Sequence, residues 1–164
     1  MANWVGEVLL TEAPLKVAAG IDDAGAGSTI PATADVDVSA GAIVDFWGVV
    51  RELEDSRAIE GIDYEAHRAM AEHQLQQIAA AATENFQLRK VVIHHRVGFV
   101  AAGEVSLFLR VASPHRAAGF EASKWIVDEL KKKVPIWKRP RFKGRAVAAI
   151  VDPGPASAMP ATRI

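Results

Sequence analysis

The chain has 164 residues, 50% of them hydrophobic, with no cysteine and a formal net charge of −1 at pH 7. That length supports one sizeable core rather than two ordinary domains. The missing thiol excludes disulfides, thiolate-ligated metals and any persulfide or thioester carried on the chain itself.

Residues 3–10 (NWVGEVLL) have the composition of a first strand, with Trp4 available for burial. No basic flank and apolar segment open the chain, and no run nears the roughly twenty apolar residues of a membrane span, so a cytoplasmic protein with no membrane contact is expected. From Val17 to Gly41 the sequence is dominated by Ala, Gly, Asp, Ser and Thr, with Pro31 among them. This predicts a flexible loop over 17–40, with at most a short strand at Val36-Asp37-Val38. Its Gly25-Ala26-Gly27-Ser28 is no phosphate loop, because neither a Gly-Lys-Ser/Thr ending nor a helix follows.

Ala42 to Arg51 (AIVDFWGVVR) reads as a strand. Alternation puts Ala42, Val44, Phe46 and Val50 on one face and Asp45, Trp47 and Arg51 on the other, and Gly48 marks a bulge or a close backbone approach. The charged segment Glu52 to Glu60 is expected as an exposed connection to a second strand, Gly61 to Ala66. From His67 to Phe86, helix formers carry Met70, Ala71, Leu75, Ile78, Ala79, Ala82 and Phe86 at helical spacing. His67 and His73 lie about 120° apart around that helix, which suits exposed polar residues and not a metal pair.

Lys90 to Val97 and Glu104 to Ala112 read as two strands of a hairpin joined by a turn over Gly98 to Gly103. In the second, Val105, Leu107, Leu109 and Val111 alternate with Ser106, Phe108 and Arg110. His94 and His95 are neighbours in a strand, so they face opposite sides and cannot chelate one metal together. No metal site and no cofactor are expected.

The stretch Ser113 to Lys138 (SPHRAAGFEASKWIVDELKKKVPIWK) contains the second helix. Ser113 is a candidate cap, with Pro114 at the first helical position. His115 and Arg116 then put positive charge where the helix dipole is already positive. An anion bound there explains them, and so does a solvated surface arginine. Lys131, Lys132 and Lys133 fall at the other end, where the dipole favours cations; Pro135 stops the helix, and Ile136-Trp137-Lys138 follows as a short hook. Lys131 to Arg145 holds eight of the nineteen basic residues and no acidic one, a local field that attracts anions. Arg145 to Val151 is expected as a last strand and 152–164 as a mobile tail. The sum is a single domain over 1–151, of α+β class, with a mainly antiparallel sheet and two main helices.

A Ser-His-Asp arrangement around Ser113 and His115 fails, since no nucleophile elbow is present. Paired carboxylates fail as well, because the acidic residues lie on connections and helix faces where solvation explains them. What remains is cationic: Arg51, His115, Arg116, Lys131 and Lys138. These suit anion binding, stabilisation of an oxyanion, or amine chemistry at a lysine. On one straight helix Arg116 and Lys131 are separated by about 22 Å. If both serve one site, the simplest arrangement is a homodimer in which one subunit supplies the helix start and the other the helix end.

At these residues the chain resembles the large, catalytic subunit of molybdopterin synthase. The resemblance runs from about Gly41 to Lys138. It is carried in order by Phe46-Trp47-Gly48-Val49-Val50-Arg51, Tyr64-Glu65-Ala66, His95-Arg96-Val97-Gly98, Gly103-Glu104, His115-Arg116 with Phe120-Glu121-Ala122, and Leu130-Lys131 with Val134-Pro135-Ile136-Trp137-Lys138. It implies a fold of α/β-hammerhead type and a homodimer within a heterotetramer. Each large subunit is then expected to bind a small ubiquitin-like sulfur carrier ending in a Gly-Gly thiocarboxylate. The implied reaction transfers sulfur from that carrier, twice, to cyclic pyranopterin monophosphate to form the dithiolene of molybdopterin. Lys131 and Lys138 match the family's active-site lysines, and Arg51, His115 and Arg116 its substrate-binding positions. Three departures stand out: Pro140 where the family usually has a glutamate, no tryptophan near Arg145-Ala146-Val147, and the Gly/Ala-rich loop in place of a short helix. Two other functions are open to such a chain. One is a non-enzymatic nucleic-acid or anion-binding module on Lys131 to Arg145, with Trp137 and Phe142 for stacking; the other is a partner-binding scaffold without catalysis.

Overall fold

The alternating and helical patterns fold into an α+β architecture, described here from a computed structural model for residues 6–17, 28–30, 37–144 and 161–164. In chain order the elements are β1 (Gly6–Thr11), β2 (Leu15–Val17), β3 (Ser28–Ile30), β4 (Ala42–Val49), β5 (Leu53–Glu54), β6 (Arg57–Ala66), α1 (Arg68–Phe86), β7 (Lys90–Arg96), β8 (Gly98–Ala101), β9 (Val105–Ser113), α2 (Arg116–Lys133), β10 (Ile136–Phe142) and β11 (Thr162–Arg163). One sheet has the order β1-β7-β9-β4, and a second runs β11-β10-β6-β5 with β8 also paired to β6. β1 is parallel to β7, and β9 is antiparallel to both of its neighbours, β7 and β4.

Both helices cover one face of the first sheet, α1 over β1 and β7 and α2 over β9 and β4. Ala71, Leu75, Ile78 and Ala82 of α1 and Ala122, Ile126 and Leu130 of α2 pack there against Val91, Ile93, Leu109 and Val111. Each buried Leu, Ile or Val contributes about 1.5–3 kcal/mol of transfer free energy. The opposite face carries Leu15, Val92 and Phe108, with Trp47 stacked at a tilt on Phe108 at 4.6 Å between ring centres. β7 and β9 are therefore covered on both faces, which is why Ser106 and Arg110 are buried although alternation sets them opposite the leucines. Arg110 meets this burial with a bidentate pair to Asp45 of β4, both bonds 2.7 Å.

The bulge expected at Gly48 is present as a register shift between Gly48 and Val49. Several expectations are corrected. Glu52 to Glu60 is no open connection: β5 and β6 form a tight hairpin through Asp55 and Ser56, both at positive φ (49° and 62°), and β6 begins at Arg57. Two consecutive left-handed residues match the right-handed twist of the strands they join. The turn expected over Gly98 to Gly103 holds β8, which pairs antiparallel with β6 across Gly61↔Ala101. The approach is close, since a Cβ on Gly61 would lie 2.3 Å from the Val100 carbonyl oxygen. The hook at Ile136-Trp137-Lys138 is the start of a full strand, β10, paired with β6. Pro140 fits within it because β11 pairs only with Trp137 and Lys138, so Pro140 lies on an open edge where a missing N–H breaks no ladder.

β3, inside the expected loop, pairs in parallel with β2, which ends where that loop begins. Asp37 and Val38 form a turn and not a strand, with the Ser39 N–H donating to the Asp37 carboxylate at 2.7 Å. Met70 is half exposed and lies off the buried stripe of α1. Where a mobile tail is expected, Thr162–Arg163 pairs with β10, and the Arg163 guanidinium donates to the carbonyls of Lys133 and Val134. Trp4, Val36, the strand expected over 145–151 and residues 152–160 lie outside the described residues.

Candidate active site

Where the two sheets meet the end of α2, a cleft of about 230 Å³ opens. Its walls are largely apolar, from Phe46, Ile62, Leu107, Val127 and Leu130, and its polar groups come from α2, five strands and the segment after β4. The Gly48 bulge ends the regular run of β4 and carries the chain on to Arg51. The last turn of α2 presents Lys131, β10 presents Lys138 opposite Tyr64 of β6, β7 supplies His95 and β9 supplies Ser106. Three of the five cations singled out in the sequence, Arg51, Lys131 and Lys138, therefore line one cleft.

The other two do not. His115 and Arg116 are exposed at the start of α2, beyond the lining of the cleft. His115 is the N-cap residue in extended backbone and makes no side-chain cap. Ser113 is not the cap either: it is fully buried, and its hydroxyl donates to the His115 carbonyl at 2.9 Å. The helix starts at Arg116 rather than at Pro114. This start is pinned to the beginning of β4, because the Gly41 N–H donates to the Ser113 carbonyl and a Cβ on Gly41 would sit 2.3 Å from the Pro114 oxygen. His115 and Arg116 thus lie at one end of β4 and the cleft at the other.

The cleft contains groups to which the sequence assigns no role. Glu54, expected to be solvated, is only 13% exposed, and its carboxylate pairs with the Lys138 ammonium and with Arg51 at 3.5 Å. It is the acid in the cleft; Pro140, at the position where the resembled family usually carries a glutamate, contributes no carboxylate. His95 is buried, its Nδ1–H donating to the Arg96 carbonyl at 2.7 Å, with the Tyr64 ring edge-on at 5.3 Å. Burial pushes the His95 imidazole down to about 4, so it is neutral at pH 7. Burial also raises the Tyr64 phenol, with the Ser106 hydrogen bond working against it and the Glu54 charge adding to it. His94, as alternation requires, faces the other side and meets Glu7 at 2.7 Å.

Lys132 and Lys133 bond to Glu129, whereas Lys131 makes no salt bridge among the described residues. Along β10, Arg139 pairs with Glu65 at 2.9 Å and Arg141 with Asp63 at 2.8 Å. Arg141 and Arg57 also stack on Phe99 and Phe142. Acids of β6 thus stand beside the basic run and Phe142 is covered by Arg57, while Trp137 is 37% exposed. Among the described residues, no group of three or more His, Asp or Glu could hold a metal ion.

The chain is thus a thiol-free α+β protein in which three cations converge on a mostly apolar cleft. The family model described as MoaE protein matches residues 10–133, and the chain belongs to that family. The molybdopterin synthase catalytic subunit of Oryza sativa subsp. indica is 41% identical over 103 residues, covering 63% of this chain and 53% of the rice protein. That of Pyrococcus abyssi is 42% identical over 101 residues, 62% of this chain and 68% of its own length. The crystal structure of molybdopterin synthase from Staphylococcus aureus superposes with a TM-score of 0.63 at 32% identity, covering 66% of this chain and 79% of that one. The chain spans about half the length of the rice relative.

Proposed function

We propose that this chain is a molybdopterin synthase catalytic subunit, a sulfurtransferase of molybdenum cofactor biosynthesis acting in the cytoplasm. No helix among the described residues is long and apolar enough to cross a membrane. The observation that carries the reading is the convergence of Arg51, Lys131 and Lys138 on one cleft in a chain without cysteine. Both reactants are anions, a phosphate ester and the thiocarboxylate of a small carrier, so a cationic cleft attracts them and the sulfur need never reside on this chain. In this reading the apolar walls receive the carrier's Gly-Gly tail, and Lys131 and Lys138 neutralise the thiocarboxylate and the charge that develops as sulfur moves to cyclic pyranopterin monophosphate.

His115 and Arg116 join this scheme through a second copy. β4 is an edge strand, and Ile43, Phe46 and Val49 on it, with Phe120 beside it, are each at least 37% exposed. An uncovered apolar edge favours pairing with another chain. Antiparallel apposition of two β4 edges about a two-fold axis would bring the α2 start of one copy toward the cleft end of the other, over a strand of about 26 Å. There His115 and Arg116 would hold the phosphate or the pterin, in a homodimer carrying two carriers. The test is to mix the protein with thiocarboxylated carrier and cyclic pyranopterin monophosphate and to assay molybdopterin. Product is expected; a protein that binds the carrier and yields none is a scaffold.

A further inference from the structure

Glu54 is the one acidic side chain lining the cleft among the described residues, and it sits on two of the three cations there. Its position is set by the fold. It lies immediately before the two-residue turn Asp55-Ser56, paired in register with Arg57, so the backbone is fixed and only the side chain is free to swing. Lys138 is 26% exposed and Glu54 13%, whereas Arg51 is 78% exposed. An ammonium that far withdrawn from water is costly to leave without a partner. Lys131, across the cleft, has no such partner among the described residues.

We propose that Glu54 is a resident counter-anion. In the empty cleft its carboxylate occupies the seat on Lys138 and Arg51 that the terminal carboxyl group of an incoming chain takes in the loaded one. Exchange of one carboxylate for another leaves the charge of the cleft balanced and Lys138 paired at every stage. The consequence is selectivity. A small free anion gains little by displacing Glu54, since it swaps one ion pair for an equivalent one. A carboxylate at the end of a flexible chain gains in addition the contacts of that chain with Phe46, Leu107 and Val127. Lys131, which makes no salt bridge among the described residues, offers the first attraction, and Lys138 becomes available only to a ligand that completes the exchange. Glu54 is thus a specificity-determining and positioning residue rather than a catalytic one.

The test uses acetyl-Gly-Gly and inorganic phosphate as probes, with affinities measured by calorimetry on wild type, Glu54→Gln and Glu54→Asp. Removing a charge a few ångströms from the seat of a half-exposed site is expected to tighten binding of both probes about tenfold in Glu54→Gln. The gain should be larger for phosphate than for the peptide and should shrink in high salt; Glu54→Asp should stay near wild type. Equal or weaker binding by Glu54→Gln, or no binding by any of the proteins, overturns the proposal. A second measurement needs no variant: the carboxylate 13C resonance of Glu54 in the wild-type protein should move when acetyl-Gly-Gly saturates the cleft, and a resonance that stays put overturns the proposal as well. The inference rests on the sulfur-transfer reading only for the identity of the natural ligand. If wild type makes no molybdopterin while Glu54→Gln gains affinity, that reading fails and the counter-anion stands. If product forms and Glu54→Gln gains nothing, the counter-anion alone fails.

Discussion

Acidification should destabilise this protein through His95 before its carboxylates are titrated. The imidazole is 3% exposed, and burial holds it at about 4 in the folded chain against 6.5 when unfolded. Between those two values the unfolded chain binds the proton and the folded chain does not, so stability rises with pH across this window. The contribution is complete above about pH 6.5, is lost progressively as the pH falls through 4, and amounts to about 3 kcal/mol at about 1.4 kcal/mol per pH unit. Urea unfolding of wild type and His95→Asn at several values from pH 7.5 to 4.5 measures it. The variant starts less stable, having lost the contact with Tyr64, but its stability should fall less, so that the two curves converge by about 2–3 kcal/mol. His94, also lowered by burial, and Glu104, lowered by its hydrogen bond to Arg96, act in both proteins and cancel in the comparison. Parallel curves would refute the reasoning and show that the buried ring is protonated as readily in the folded chain as in the unfolded one.

Lys131→Ala should lower kcat for molybdopterin formation by about 100-fold at saturating carrier. Its thermal midpoint should not change, because Lys131 is exposed and makes no salt bridge among the described residues. Mixing the Lys131→Ala and Arg116→Ala proteins under conditions of subunit exchange should restore about one quarter of wild-type activity, since half the dimers are mixed and each has one intact composite site. No recovery would place both residues in one subunit's site. Gly61→Ala should lose about 2–3 kcal/mol in urea unfolding, because its Cβ meets the Val100 oxygen at 2.3 Å and the Phe99 ring at 2.7 Å.

What the sequence makes legible is what local periodicity encodes. The buried stripe of α1, the β7–β9 hairpin and the bulge after Gly48 all follow from spacing, because each is decided by residues close together in the chain. β5 and the start of β6 are illegible for the opposite reason. Their turn residues, Asp55 and Ser56, adopt left-handed backbone without the glycine that usually announces it, and their charges read as solvation. β8 hides in a stretch that looks like a turn, since its partner β6 lies far upstream. Glu54 is concealed in the same way: Lys138, the less exposed of its two ion-pair partners, is 84 residues distant, and nothing local separates Glu54 from the acids around it. Lys138 is legible because it lies in a basic run, Lys131 to Arg145, that holds no acid. Residue chemistry groups His115 and Arg116 with the other three, and within one chain the fold keeps them apart.

That separation follows from how the elements are tied together and is not a matter of loop placement. α2 starts where β4 starts, since Gly41 and Ala42 are bonded to Ser113, and it ends at the cleft, since Leu130 and Lys131 line it. Helix and strand run side by side between the same two points, closely opposed at Gly119 and Val44 near the start and with Leu130 buried near the end. No rotation of a side chain brings Arg116 to Lys131, and no hinge divides α2. A ligand that needs both groups must find them on different copies, and the exposed edge of β4, which spans the distance between the two points, is the surface on which those copies can be brought into register.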